Sequence, residues 1–484
     1  MKIYLLNPPF IQGFSRSVRG SGEVSRGGTL YYPIWLAYAT GCLEKLHTVR
    51  LIDAQARKWG IHEVLDDCTR FNPDVCVVES NFSSLANDIN VANEIKKLSG
   101  AKTILVGPPT SQYSHEILSR GIDISARYEY DLTLVEIAAA LQDNEGLSDV
   151  KGVSYMKDGI EVHNERRNYS TSEDLNKIPF ASKIYEKYLN INDYFLSSSL
   201  YPVVQILTGR GCPNQCTFCS WPSTFTGKKY RMRSISNIVE EFKYIESELR
   251  NVKEVFIEDD TFTINKNRVS EFCSAYLDSR LKIPWSCNAR ASTLDLDVMI
   301  QMKKANCRMV IVGYESGNAQ ILNNIKKGVT LDQMRRFSSD AKKAGLMVHG
   351  DFIIGLPGET RETIKKTKNL IEELKPDILQ VLIPQPIPGT ELYKWYKENG
   401  HLLTDNPMEY LDENGYQRSI VSYPELNNTE ILMAANSILK DYYLSYRYVP
   451  LALRQIYRKN GVDELLRLIY SAKMFMSFIL GVSK

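Results

Sequence analysis

Residues Val203-Val204-Gln205-Ile206-Leu207 run directly into Thr208-Gly209-Arg210-Gly211-Cys212-Pro213-Asn214-Gln215-Cys216-Thr217-Phe218-Cys219. The apolar stretch has the length of a buried strand, so the three cysteines, spaced CxxxCxxC, fall on the loop at its carboxyl end. Thiolates are the usual ligands of iron–sulfur clusters. A four-iron cluster held by only three local cysteines keeps one iron open for a substrate or cofactor. A zinc site would need a fourth ligand, and no histidine sits nearby to complete its tetrahedron. Three cysteines falling in one loop by chance is the bland alternative.

Downstream the same punctuation repeats. Short apolar runs at Val255 to Ile257, Ile283 to Cys287, Met309 to Val312, Val348 to Ile354 and Ile378 to Ile383 alternate with helical spacing at Ile238 to Leu249, Asn267 to Leu277, Leu296 to Lys304 and Glu362 to Leu374. Six strand–helix units without a reversal predict a partial (β/α)6 TIM barrel over residues 201–395, with its active site at the carboxyl ends of the strands. Those ends carry Glu258-Asp259-Asp260, then Asn288 and Arg290 on one face of a strand, then Gly313-Tyr314-Glu315-Ser316-Gly317. Gly350 to Glu359 and Pro386-Ile387-Pro388-Gly389-Thr390 follow.

Upstream, apolar runs at Ile3 to Leu6, Val49 to Ile52, Val75 to Glu79 and Thr103 to Val106 also alternate with helical segments. This predicts a doubly wound, Rossmann-like α/β domain over 1–145, which would bind a ligand beyond its strands' carboxyl ends. No GxGxxG follows the first strand, so a dinucleotide is not favoured. Residues 146–200 read as a linker with a hairpin at Asp158-Gly159, and 396–484 as a Tyr-rich helical region.

Composition narrows the classes. The 484 residues are 43% hydrophobic and 24% charged, an ordinary globular balance. A net charge of +2 argues against a nucleic-acid partner, which needs a concentrated basic surface. No apolar run approaches the roughly 18 residues that span a bilayer. The start, MKIYLLNPPF, reads as a first strand and not a signal peptide, so a cytoplasmic location is expected. Nine cysteines are too sparse and uneven for a disulfide scaffold. Cys42, Cys68 and Cys76 are expected to be buried structural thiols and not a second cluster like that of the methylthiotransferases.

The cysteine loop, with Phe218 before its last cysteine, resembles the signature of the radical S-adenosylmethionine superfamily. That resemblance implies a [4Fe-4S] cluster on Cys212, Cys216 and Cys219 whose open iron chelates S-adenosylmethionine. Reductive cleavage would then give a 5′-deoxyadenosyl radical, with the electron supplied by an external donor. It also implies that Phe218, Asp259, Asp260, Asn288, Arg290, Glu315 and Gly355 bind S-adenosylmethionine: carboxylates for the methionine amine, Arg290 for its carboxylate, Glu315 for the ribose and the Gly355 segment for adenine.

The α/β domain before the barrel resembles the cobalamin-binding subfamily, through the Asn7-Pro8-Pro9 opening, Asp53-Ala54, Ser83-Ser84-Leu85 and Gly107-Pro108-Pro109. On that resemblance Asn7, Asp53, Ser83, Ser84, Leu85 and Gly107 would hold cobalamin. The DxHxxG histidine of many such domains is missing, since Asp53 is followed by Ala54-Gln55-Ala56-Arg57, and His62 and His115 read as exposed helix residues. A corrinoid held without a protein imidazole is expected, or a domain that has lost it. The implied reaction is cobalamin-dependent C-methylation of an unactivated carbon in a lipid or secondary metabolite, a transferase activity. The alternatives are a radical rearrangement or ring contraction of a sugar-like headgroup, and a non-catalytic corrinoid or iron–sulfur carrier.

At a finer level, Tyr32-Pro33-Ile34-Trp35, Ala126-Arg127-Tyr128-Glu129, Cys219-Ser220-Trp221-Pro222 and Trp285-Ser286-Cys287-Asn288 look most like the hopanoid-biosynthesis-associated radical S-adenosylmethionine family. That family is implicated in remodelling a lipid headgroup. In the tail, Arg454, Arg458, Lys459, Arg467, Lys473 and Lys484 interleave with Leu465, Leu468, Ile469, Phe475, Phe478 and Ile479. This reads as a basic amphipathic helix that either lies on the inner face of a membrane or packs on the barrel.

Overall fold

The computed structural model describes residues 1–16, 20–457 and 460–480. Five strands, β1 (Lys2–Asn7), β2 (Thr48–Asp53), β3 (Val75–Glu79), β4 (Lys102–Val106) and β5 (Ile124–Ala126), lie parallel in the order β2-β1-β3-β4-β5. Their near-continuous apolar runs suit strands covered on both faces. Helices α1 (Ile34–Leu43) and α4 (Asp131–Gln142) bury one face, and α2 (Ile61–Phe71) and α3 (Leu85–Ser99) the other. The domain is thus doubly wound, as the sequence predicts.

The expected hairpin, β6 (Val153–Lys157) and β7 (Ile160–His163), does not sit in a linker. It extends the first sheet antiparallel to β5, with Tyr155 opposite Ile124. Its inward Val153 and Tyr155 are buried, and the hairpin covers an otherwise open parallel edge. The connecting residues beyond it are Tyr-rich because they are packed. Tyr185, on α5 (Ala181–Tyr188), and Tyr194 stack on Tyr32 of the first domain, with ring centroids 4.2 and 3.8 Å apart.

The second sheet is β8 (Val203–Ile206), β9 (Glu254–Ile257), β10 (Trp285–Ala289), β11 (Cys307–Glu315), β12 (Met347–Ile353) and β13 (Ile378–Leu382), parallel and in chain order. Helices α6 (Ile235–Glu248), α7 (Lys266–Asp278), α8 (Leu296–Lys304), α9 (Leu331–Ala344) and α10 (Arg361–Leu374) clothe it. Helix α9 escapes the sequence reading because its apolar face is narrow: Met334, Phe337 and Ala341 are buried in an otherwise polar run.

The two domains are joined by buried charge. Arg210, two residues before Cys212, donates to Asp131 Oδ2 at 2.6 Å and packs 4.5 Å from the Trp35 ring centroid. Glu129 accepts two hydrogen bonds from Arg231, at 2.7 and 2.9 Å. The cysteine loop is therefore tied to the first domain through its own flank.

Beyond the barrel come α11 (Asn428–Tyr443), α12 (Val449–Ile456) and α13 (Gly461–Leu480). Helix α13 packs with Glu464 and Arg467 of its first two turns inward. Glu464 accepts from Arg308 and Arg467, at 2.7 and 2.9 Å, and Arg467 also donates to the Ser197 carbonyl at 2.8 Å. Arg467 thus belongs to a buried pair and not to a basic outer face. Arg458, Lys459, Lys484 and the side chain of Ile479 lie outside the described residues. Among the described residues, no helix is long and apolar enough to cross a membrane.

Candidate functional site

The cysteine loop is shaped by backbone contacts that leave little choice of residue. Gly211 sits at φ +84°, and a Cβ there would collide with the Lys229 carbonyl and lie 2.9 Å from that of Gly227. Only glycine fits such an approach. The loop is pinned further on: Cys212 N donates to Gly227 O, Thr217 N to Ile325 O, and Leu392 N to Thr217 O. None of the three cysteines forms a disulfide, and all three line one cavity of about 610 Å³ at the carboxyl ends of the barrel strands.

Among the described residues, no three His, Cys, Asp or Glu side chains converge as the ligands of a single ion would. Thiols spread along one loop suit a multi-iron cluster, whose cysteines each take a different iron. Polar and cationic groups surround the loop. Arg290 Nη1 donates to Cys216 Sγ at 3.6 Å, Asn214 Nδ2 donates to Cys212 Sγ at 3.1 Å, and Lys327 Nζ lies 5.8 Å from the Phe218 ring centroid.

Most of the barrel residues singled out from sequence meet here. Phe218, Asp260, Asn288, Arg290 and Glu315 line the same cavity as the cysteines, and so does Glu258. Asn288 is oriented by donating to the Asp259 carbonyl at 3.0 Å, and Asp260 accepts from Gly211 N at 3.1 Å. Glu315 occupies a left-handed backbone conformation, φ +66°, that is strained for a non-glycine residue. A carboxylate, a guanidinium and a cluster loop around one space can hold a zwitterionic amino-acid moiety beside an open iron.

Two expected residues do not face the cavity. The Asp259 carboxylate accepts from Thr208 N and Oγ1, both at 2.6 Å, Gly209 N at 3.0 Å and Tyr230 Oη at 2.7 Å. It is a buried brace for the first strand's end, because adjacent residues at a strand end point to opposite sides. Gly355 is likewise enclosed: its carbonyl accepts from Tyr396 and Tyr423, and Glu359 Oε2 accepts from its N–H at 3.0 Å. Burial pushes the Glu359 carboxyl up to about 7.

Sequence reasoning missed Lys327. Its ammonium donates to Glu315 Oε1 at 2.6 Å inside the cavity. Burial alone would lower its pKa, but Glu315 and Cys216 outweigh that and hold it above its ordinary value. Nothing in Ile325-Lys326-Lys327-Gly328 distinguishes this lysine from the neighbouring Lys326, which is exposed and pairs with Glu391.

The first-domain residues expected at a corrinoid do not line the cavity. Asp53, pushed up to about 6 by burial, accepts from Asn7 Nδ2 at 2.8 Å and Tyr194 Oη at 2.9 Å. Arg16 reaches across the strand ends to Asn7 Oδ1, the Pro8 carbonyl and Asp88. Ser83 donates to the carbonyls of Ser21 and Gly22, Ser84 to Asp88 at 2.5 Å, and Leu85 sits in the core. Gly107, at φ +107°, backs against Ser80. Of the six, Asn7 accepts from Arg16 and Ser83 donates to Ser21 and Gly22, while Asp53, Ser84, Leu85 and Gly107 are engaged with other groups of the domain itself. The first domain contributes to the cavity wall through its segments 15–16 and 20–31, with Ser15, Glu23, Arg26, Thr29 and Tyr31 among the lining residues.

A six-stranded parallel partial barrel with a three-cysteine loop and converging charges at its mouth defines an iron–sulfur enzyme of the radical class. The family model described as the Radical SAM superfamily matches residues 206–371. An uncharacterised methyltransferase of Pyrococcus horikoshii is 30% identical over 98% of this chain and 99% of its own. Among solved structures, the radical S-adenosylmethionine methyltransferase TsrM from Kitasatospora setae, with cobalamin and a [4Fe-4S] cluster bound, aligns with a TM-score of 0.70 at 16% identity, over 98% of this chain and 99% of that one. The cobalamin-dependent radical enzyme OxsB aligns at 0.68 and 16% identity, over 98% and 71%. The chain belongs to the radical S-adenosylmethionine superfamily, in a branch with methyltransferases.

Proposed function

We propose that this enzyme C-methylates an unactivated carbon of a small apolar metabolite or lipid. The observation that carries the reading is one continuous cavity: cluster thiols, Arg290, Asp260, Glu315 and Lys327 at its mouth, and an apolar chamber below, walled by Ile311, Ile378 and Phe475. Arg290 would hold the methionine carboxylate of S-adenosylmethionine, and Asp260 its amine. Glu315, paired with Lys327, would accept from the ribose hydroxyls. The chamber excludes water from the radical that the cluster and S-adenosylmethionine supply when bound.

Cobalamin is proposed as the methyl carrier, supported by the fold shared with TsrM. Binding at the strand ends would displace Arg16 from Asn7, Pro8 and Asp88. Purified protein supplied with hydroxocobalamin should take up the corrinoid, with a visible spectrum as the readout, and a protein that stays colourless would remove cobalamin from the reading. Product mass separates methylation from rearrangement, since only methylation adds a carbon.

The finer reading, a lipid substrate as in the hopanoid-associated family, draws support from α12 and α13. More than half of the exposed large apolar side chains of the described residues lie between Leu444 and Met476, among them Tyr457, Val462, Leu466 and Ile469. Such a patch is an interaction surface. Peripheral membrane contact through it predicts that the protein pellets with anionic phospholipid vesicles, and that Leu466→Asp/Ile469→Asp abolishes pelleting.

A further inference from the structure

Below the S-adenosylmethionine residues the cavity continues down the inner face of β12, where His349, Asp351 and Ile353 alternate inward and line it. At about 3.3 Å of rise per residue, Asp351 lies roughly 7 Å and His349 roughly 13 Å deeper than Ile353. His349 is only 7% exposed. Its Nε2 stands 3.2 Å from Asp351 Oδ1, but the two are not aligned for a hydrogen bond. Both ring nitrogens of His349 and Oδ1 of Asp351 are buried with no hydrogen-bond partner.

Buried polar groups in native proteins are almost always hydrogen-bonded, so unpartnered ones in a cavity wall point to something that enters the cavity. The walls around this pair are largely apolar, with Ile311, Ile378, Leu468 and Phe475 facing the same space; Arg467 also lines it, but its guanidinium is engaged by Glu464, Gln455 and the Ser197 carbonyl. Burial, with Arg467 and Arg308 nearby, brings His349 down to about 3. Burial, with Glu315 nearby, raises Asp351 well above the usual carboxylate range. The unpartnered ring nitrogens and carboxyl oxygen together offer hydrogen-bonding groups of both kinds to whatever enters. A charged group there would lose its hydration with no counter-ion positioned for it.

We propose that His349 and Asp351 anchor a neutral hydroxyl group at the deep end of an otherwise apolar substrate, one residue accepting its proton and the other donating to its oxygen. This rests on the cavity being the substrate chamber of the methylation proposed above. It deepens that reading by naming the substrate class, an apolar molecule with a hydroxyl terminus held away from the carbon that reacts.

The test uses the cluster-reconstituted protein and a photoactivatable octanol carrying a diazirine at carbon 3, with labelled residues mapped by mass spectrometry. Labelling should fall on the inner residues of β12 and β13 or on α13. Competition by 1-octanol should be about tenfold more effective than by 1-methoxyheptane, which cannot donate, the worth of roughly one hydrogen bond. His349→Phe and Asp351→Leu should erase that tenfold preference, while Asp351→Asn, which keeps a donor and an acceptor in place, should retain it. Equal competition by alcohol and ether, labelling elsewhere, or a preference untouched by both substitutions would overturn the proposal and leave the pair as a site for water. Formation of 5′-deoxyadenosine is followed in the same samples. Its absence would sink the radical reading, and a lost alcohol preference alone would sink only the anchor.

Discussion

Replacing Arg210 by Met tests whether the cluster loop is held by the first domain. Arg210 is 2% exposed at its side chain, between Asp131 at 2.6 Å and Glu129 at 3.7 Å. Burial works against its charge, but Asp131 and Glu129 outweigh that and raise its pKa. In the variant, Glu129 keeps both Arg231 hydrogen bonds and that from Ser170 N, whereas Asp131 keeps the backbone N–H of Leu132 at 3.1 Å. The loss thus falls on one stranded carboxylate, and breaking a buried pair in this way costs about 3–5 kcal/mol. Amide hydrogen exchange of α4 and of residues 208–219 should accelerate by roughly a hundredfold to a few thousandfold. Adding Asp131→Asn removes the stranded charge, so the double variant should exchange more slowly than Arg210→Met alone. Acceleration below about tenfold, or a double variant as fast as the two effects combined, would refute the reasoning.

Gly211→Ala should misplace the loop, since φ +84° and the Lys229 carbonyl leave no room for a methyl group. Iron bound after reconstitution should fall well below wild type while the circular dichroism of the fold persists. Glu359, held up to about 7 by burial, favours the folded state most when protonated. Its contribution is full below the ordinary carboxyl range, is lost as pH rises toward about 7, and is flat above. Urea midpoints of wild type relative to Glu359→Gln should therefore fall between pH 4.5 and 7, and a constant difference would show that the carboxyl does not titrate there. Lys327→Met, which strips Glu315 of its partner, should raise the KM for S-adenosylmethionine more than it lowers kcat; an unchanged KM would count against Glu315 and Lys327 as cofactor ligands.

Legibility followed periodicity. All six barrel strands and their order were readable, because a parallel strand buried on both faces shows as an unbroken apolar run and a crossover helix shows as a 3.6-residue stripe. Loop cysteines and strand-end charges were readable for the same reason: they interrupt that pattern at its carboxyl ends. What depends on long-range pairing was not. Lys327 looks like any surface lysine until Glu315 is placed beside it. Asp259 and Asp260 differ only in which side of the strand end each faces. The hairpin at Asp158-Gly159 was read locally, but its place on the edge of β5 is set by burial of Val153 and Tyr155. Arg467 reads as a surface charge of an amphipathic helix, because the buried network it joins through Glu464 is completed by Arg308, 156 residues from Glu464 in the chain.

The central claim is that Cys212, Cys216 and Cys219 hold a cluster that cleaves S-adenosylmethionine. Anaerobic reconstitution followed by S-adenosylmethionine and a strong reductant, with 5′-deoxyadenosine quantified by mass spectrometry, measures it directly. Wild type should bind about four irons and form 5′-deoxyadenosine, and the variant with all three cysteines changed to Ala should do neither. A triple variant that keeps the cluster absorbance and the product, or a wild type that binds the cluster yet never forms 5′-deoxyadenosine, would contradict the account.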